Sequence, residues 1–173
     1  EAVPTLNALM GQPLPLTASY WADGVLSLRL CGTEAGVKTA VELLGGERMN
    51  EAASRSWWQT VREQERPEFD LNEGERLWRI SVPDTAPVAD SDGLFAIEWG
   101  GGLRWYRTGA AAREMRALAQ NAGGHATLFR GAAAVGETVF TPLPEALLAI
   151  NQRLKQSFDP SGIFNPGRLY PKL

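Results

Sequence analysis

The sequence predicts an α+β fold: a ferredoxin-like antiparallel or mixed sheet with helices packed on one face. Three observations lead there. Segments with an apolar stripe of helical period interleave with short alternating or aromatic-rich segments of strand period. Two of those strand segments flank Gly100-Gly101-Gly102 as a hairpin. The resulting order, β-α-(β)-α-β-β-β-α-β-α, alternates helices with a sheet that contains a hairpin, close to a ferredoxin-like arrangement. With 173 residues, 44% of them apolar and 21% charged, the chain has material for one domain with a tail.

Each element has a local reason. Thr5 to Met10 reads as a short helix, followed by the turn-rich Gly11-Gln12-Pro13-Leu14-Pro15-Leu16. Ser19 to Cys31 reads as strand, broken at Asp23-Gly24. Thr33 caps a helix whose Val37, Ala40, Val41 and Leu44 share a stripe, and Gly45-Gly46 stop it. Glu47 to Asn50 is a candidate short strand. Asn50 then caps a helix to about Gln64 that carries Trp57, Trp58 and Val61.

Residues 67–76 are polar and loop-like, and Leu77 to Val82 alternates with period two. After the Pro83 to Gly93 loop come the hairpin strands, Leu94 to Trp99 and Leu103 to Arg107. Thr108 is expected to cap a helix to Ala122 with Ala111, Met115, Leu118 and Ala122 on its inner face. Gly123-Gly124 stop it, and His125 to Phe129 is the last strand. Pro142 opens a final helix with Leu143, Leu147, Ile150, Leu154 and Phe158 on one stripe.

Composition excludes several functions. The formal charge is −3 and the basic residues are scattered, so no field draws in nucleic acid. Cys31 is the sole cysteine and His125 the sole histidine, which excludes a disulfide and a soft-metal site. Cys31 reads as a small core residue at a strand end, and His125 as structural or surface. No apolar run reaches the ~20 residues of a membrane span and no signal peptide is visible, so the expected place is the cytoplasm. A start at Glu1 rather than Met fits a piece of a longer protein.

Catalytic constellations are absent. Gly100-Gly101-Gly102 opens into a strand, whereas a phosphate cradle opens into a helix. Gly32 to Gly36 joins strand to helix but lacks a P-loop lysine. The pairs Asp90/Asp92 and Glu73/Glu75 lie in polar loops and read as solvated. Six tryptophans, among them Trp78, Trp99 and Trp105, read as core, with an exposed subset marking a partner surface. Arg104 and Arg107 fall on opposite faces of one strand. At most one of them faces a cleft, where its guanidinium holds an organic acid; the plain alternative is solvent-facing charge.

The ending is the most constrained segment. Asp159-Pro160-Ser161-Gly162-Ile163-Phe164-Asn165-Pro166-Gly167-Arg168 packs prolines, glycines and an Asn-Pro-Gly turn into one segment after a helix. Read on residues alone, it either ends a helix and makes a turn, or docks on something outside the domain.

Together with Leu154 and Lys155, these residues resemble the C-terminal signature of the FAD-linked oxidases of the vanillyl-alcohol oxidase type. In that signature a helix carrying L-K-x-x-x-D-P runs into G-[ILF]-[LF]-N-P-G-[KR]. Gly11 to Leu16, Leu103 to Tyr106 and Phe164 to Tyr170 extend the likeness to the FAD-binding subunits of glycolate oxidase-like complexes. The resemblance implies an α+β cap domain over residues 1–157 and a tail, 158–173, that returns to an N-terminal FAD-binding domain absent from this chain. It implies that Asn165, Pro166, Gly167 and Arg168 contact FAD, with Asn165 near the flavin ring and Arg168 meeting a phosphate or carboxylate. It also implies glycolate oxidation to glyoxylate beside a catalytic flavoprotein subunit and an iron–sulfur subunit, peripheral to the inner membrane. The H-x-G-D-G-N motif of catalytic members is missing, so this domain alone is expected to be inactive. The alternatives are a non-catalytic assembly module of such a complex and an unrelated small-ligand module.

Overall fold

A computed structural model describes residues 2–89, 91–171 and 173. Asp90, and with it the Asp90/Asp92 pair, lies outside the described residues. The strands are β1 (Leu16–Ala22), β2 (Val25–Leu30), β3 (Arg76–Ser81), β4 (Leu94–Glu98), β5 (Leu103–Thr108) and β6 (His125–Arg130). The helices are α1 (Ala2–Met10), α2 (Glu34–Leu44), α3 (Glu51–Glu63), α4 (Ala112–Asn121) and α5 (Glu145–Phe158). One six-stranded sheet runs β2-β1-β4-β5-β3-β6, antiparallel at every pairing.

The α+β class is what the sequence predicts. β3 lies between β5 and β6 and pairs antiparallel with both, so β5-α4-β6 is a split β-α-β unit of ferredoxin-like kind. Alternation along β3 and β5 builds two cores. Trp78, Ile80 and Tyr106 point toward α4 and meet Met115 and Ala119. Leu77, Leu103 and Trp105 point the other way and meet Phe69 and Val61 of α3. On the first of these faces α1 brings Val3 and Leu6 against Ile97, beside Trp21. Helices therefore cover both faces rather than the one face the sequence predicts, because the central strands are apolar on both.

Local chemistry explains the departures from sequence expectation. Cys31 is exposed rather than buried, since β2 is the sheet's edge and ends at Leu30. Glu47 to Asn50 is irregular rather than a strand; the next regular element is α3, with Asn50 Oδ1 accepting from Ala53 N at 2.9 Å. Phe69 is fully buried, so the polar 67–76 segment tucks one aromatic plug under the sheet. Thr108 does not cap α4: its Oγ1 accepts from Ala110 N at 3.1 Å, and the helix starts at Ala112 with Ala112, Met115 and Ala119 inward. The last helix begins after Pro144, not at Pro142, because Leu143 precedes a proline and is driven out of the α region.

The β4–β5 turn is fixed from three sides. Asn7 Nδ2 donates to Gly100 O at 3.0 Å, and Gly100 N donates to Ser19 Oγ at 2.9 Å. Gly101 has φ +115°, and a Cβ there would meet Asp84 O at 2.6 Å, so only glycine fits.

Arg104 locks the neighbouring loop. Its side chain is buried, with Nε donating to Gly101 O at 3.3 Å, Nη1 to Pro87 O at 2.8 Å and Nη2 to Ala86 O. Burial lowers its pKa, and the three carbonyls take the place of water around the charge. Arg104→Ala should lower the unfolding free energy by about 3 kcal/mol or more, since it strands those buried acceptors and leaves a void. Urea unfolding checks this; a loss below about 1 kcal/mol would contradict the assignment.

Candidate functional site

The site grows from α5. Leu147, Ile150, Leu154 and Phe158 recur at helical spacing and share one face. A stripe of this kind normally faces a core. Here no residue of α5 is buried, and Phe158 is 83% exposed. Ile163, Phe164 and Leu169 beyond the helix are exposed as well. The stripe and tail form a continuous run of apolar side chains that the described residues leave uncovered.

Asp159 folds the tail back on that helix. Its Oδ1 accepts from Ile163 N at 3.0 Å, and its Oδ2 accepts from Phe164 N at 2.9 Å and Lys155 Nζ at 2.6 Å. Lys155 Nζ also donates to the Phe164 carbonyl. The hydrogen bond from Lys155, helped by the two backbone N–H groups and opposed by burial, holds the Asp159 carboxyl down at about 2. Gly162 and Gly167 take φ +62° and +70°, and Asn165 sits left-handed at φ +47°, a conformation asparagine tolerates. Arg168 N donates to Asn165 O at 3.2 Å, and Gly167 N to Leu173 O. Tyr170 OH donates to Thr141 O at 3.2 Å, tying the tail to the segment that enters α5.

A groove of about 640 Å³ opens between helix and tail. Phe140, Leu154, Phe158 and Phe164 line it, and Asn151, Lys155, Asn165 and Arg168 supply its polar edge. Apolar walls edged by a guanidinium, an ammonium and two carboxamides suit a flat ring system that carries an anionic group. Asn165 and Arg168 thus line one wall, with Pro166 and Gly167 in the turn between them.

Arg104 and Arg107 are placed elsewhere. They lie on opposite faces of β5, as their spacing dictates, and neither lines this groove. Arg104 is the loop lock already described. Arg107 Nη1 donates to Asp70 O at 3.0 Å and Glu68 O at 3.3 Å, and its Nε lies 3.4 Å from Glu75 Oε2. Both guanidinia are engaged inside the domain. His125 is exposed on β6. Trp99, read as core, is 62% exposed, while Trp78 and Trp105 are buried. Among the described residues no cluster of His, Cys, Asp and Glu is arranged to hold a metal, and no helix is long and apolar enough to cross a membrane.

The Lys155–Asp159 clamp carries the geometry of the tail, and residue-level reading did not find it. Its signal is an i,i+4 base–acid pair placed directly before a proline.

Fold and groove together define an α+β domain whose last helix and turn-rich ending carry an exposed apolar face. The chain is 43% identical over all 173 of its residues to the glycolate oxidase subunit GlcE of Escherichia coli. It spans 47% of that subunit, about half its length. The likeness read in the ending and the hairpin strand therefore runs along the whole chain. No protein-family model matches the chain, and no solved structure does.

Asp159→Ala should raise the hydrogen-exchange rates of the Ile163 and Phe164 amides at least about tenfold while those of β3 and β5 stay unchanged. The carboxyl is depressed, so its hold on the tail is full above the ordinary carboxylate range and is lost as pH falls through about 2. Amide exchange by NMR reads both, and a tail equally protected in the variant would refute the clamp.

Proposed function

We propose that this chain is the C-terminal half of an FAD-binding subunit of a glycolate oxidase complex, a cap domain whose last helix and tail return to a flavin domain. The observation that carries the proposal is the uncovered apolar stripe of α5 joined to a pre-shaped tail, in a chain alike over its whole length to a glycolate oxidase subunit. A helix with a ≥100°-wide apolar face and no buried residue needs a covering surface. The missing half of such a subunit supplies one.

In this reading Asn165, Pro166, Gly167 and Arg168 touch FAD. Asn165 and Arg168 line the groove, and the left-handed backbone at Asn165 and Gly167 turns the chain back on itself there. Arg168 is exposed and makes no side-chain hydrogen bond among the described residues, which leaves its guanidinium for a phosphate or carboxylate. Bound FAD supplies the two-electron acceptor for oxidation of glycolate to glyoxylate. The domain's own contribution is to orient that ring, to exclude water from the groove and to present charge to its anionic end. Around it we place the complex implied by the resemblance: a catalytic flavoprotein subunit and an iron–sulfur subunit, in the cytoplasm or against the inner membrane.

The full-length subunit, purified with its flavin, tests this. Asn165→Ala is expected to weaken FAD about tenfold, the loss of one to two hydrogen bonds near 1.4 kcal/mol. Leu154→Asp, which charges the stripe, should release more. Equilibrium dialysis with the flavin absorbance band gives both values, and affinities equal to the parent would sink the proposal.

A further inference from the structure

Arg79 stands apart from the other arginines. The other buried or half-buried ones are Arg66, Arg76, Arg104, Arg107 and Arg116, and each hydrogen-bonds to a protein oxygen. Arg79 is half-buried and, among the described residues, its side chain makes no hydrogen bond or salt bridge. Its guanidinium carbon lies 5.1 Å from the centroid of the Trp99 ring. Stacking on an aromatic ring leaves the in-plane N–H donors of a guanidinium open to an acceptor arriving from the side.

The surroundings are built rather than incidental. Trp99 is 62% exposed and held at φ +53°, a left-handed conformation that a bulky aromatic rarely adopts. The bond from Gly102 N to Trp99 O, at 3.2 Å, keeps it there. Glu98 is close enough to feel the charge of Arg79 but forms no ion pair with it; its Oε1 accepts from Trp105 Nε1 at 2.6 Å. Pairing of Arg79 with Thr127, and of Ser81 with His125, sets those hydroxyl and imidazole groups on the same face. α3, Phe69 and Phe129 cover this face over Leu77 and over Trp105, the β5 partner of Arg79, whereas beside the Arg79 guanidinium the Trp99 ring is open.

We infer that Arg79, seated on the exposed Trp99 ring, binds the carboxylate of a small organic acid. One guanidinium with a carboxylate nearby matches a planar monoanion better than a dianionic phosphate. Hydroxyl groups from Thr127 and Ser81 beside the cation suit an acid that carries its own hydroxyl. That the acid is glycolate rests on the proposed function above; that the site takes a carboxylate does not.

Acetate, which has the carboxylate of glycolate without an oxidisable hydroxyl, is the probe, titrated into the full-length subunit by tryptophan fluorescence. Saturable quenching is expected, abolished in Trp99→Phe and weakened about tenfold in Arg79→Gln, with Arg79→Lys in between. Melting temperatures of the variants serve as a folding control. A dissociation constant for Arg79→Gln within twofold of the parent overturns the inference, as does tighter binding of inorganic phosphate than of acetate or no saturable signal at all. Loss of FAD binding or of glycolate oxidation with acetate binding intact would fail the proposed function and leave this site standing.

Discussion

Two-sided burial of β3 and β5 is the constraint from which the rest of the domain follows. Trp78 and Tyr106 need a cover on one face, Leu77 and Trp105 on the other, and both strands sit inside the sheet. Burying a large side chain contributes about 1.5–3 kcal/mol, so the strands cannot leave either face bare along their length. α4 answers the first demand through Met115 and Ala119; α3 and Phe69 answer the second. The short α4 that links β5 to β6 around β3 is thereby forced into a split β-α-β path. Arg104 belongs to this frame too, since on a strand buried on both faces its charge reaches no water and must be met by backbone carbonyls.

The same logic identifies where the frame stops. On α3's face the β5 positions Trp105 and Leu103 stay apolar and buried, whereas their neighbours on β3 and β6 change character to Arg79, Ser81, Thr127 and His125. α5 departs in the opposite sense: its positions are apolar enough for a core and yet none is buried. Polar groups where a strand pattern asks for apolar ones, and apolar groups where solvent is the only neighbour, both depart from self-consistent folding. Such departures gather at places where a chain meets something else.

Much of this was legible in the residues. The hairpin around Gly100, the caps at Thr33 and Asn50, and the alternating Leu77 to Val82 were set by local chemistry, and the fold followed them. The misreadings share a cause, because period and residue type say that a side chain prefers burial without saying what buries it. Cys31 follows a strand of apolar type, but that strand is an edge. Trp99 has the composition of a core and the backbone of a strained turn. The site divided in the same way. The ending at Asn165 to Arg168 stood out because proline and glycine mark their own geometry, whereas Arg79 looked like any strand arginine until its neighbours were placed around it.

The tail shows why a rigid ending is worth having on a domain whose last helix is uncovered. Docking a flexible segment costs about 1–2 kcal/mol per ordered residue, which over a dozen residues would cancel the gain from a modest apolar contact. Asp159 removes much of that cost beforehand. It binds Lys155 one turn back and two amides ahead, so the chain from Phe158 to Phe164 is shaped by short-range bonds before any partner arrives. Pro160 and Pro166 then restrict the residues on either side. What remains to be gained on contact is burial of Leu154, Phe158, Phe164 and Leu169, little offset by ordering entropy. A simple helix stop has no use for such preparation, and that is the support the clamp lends to the proposed docking of the tail.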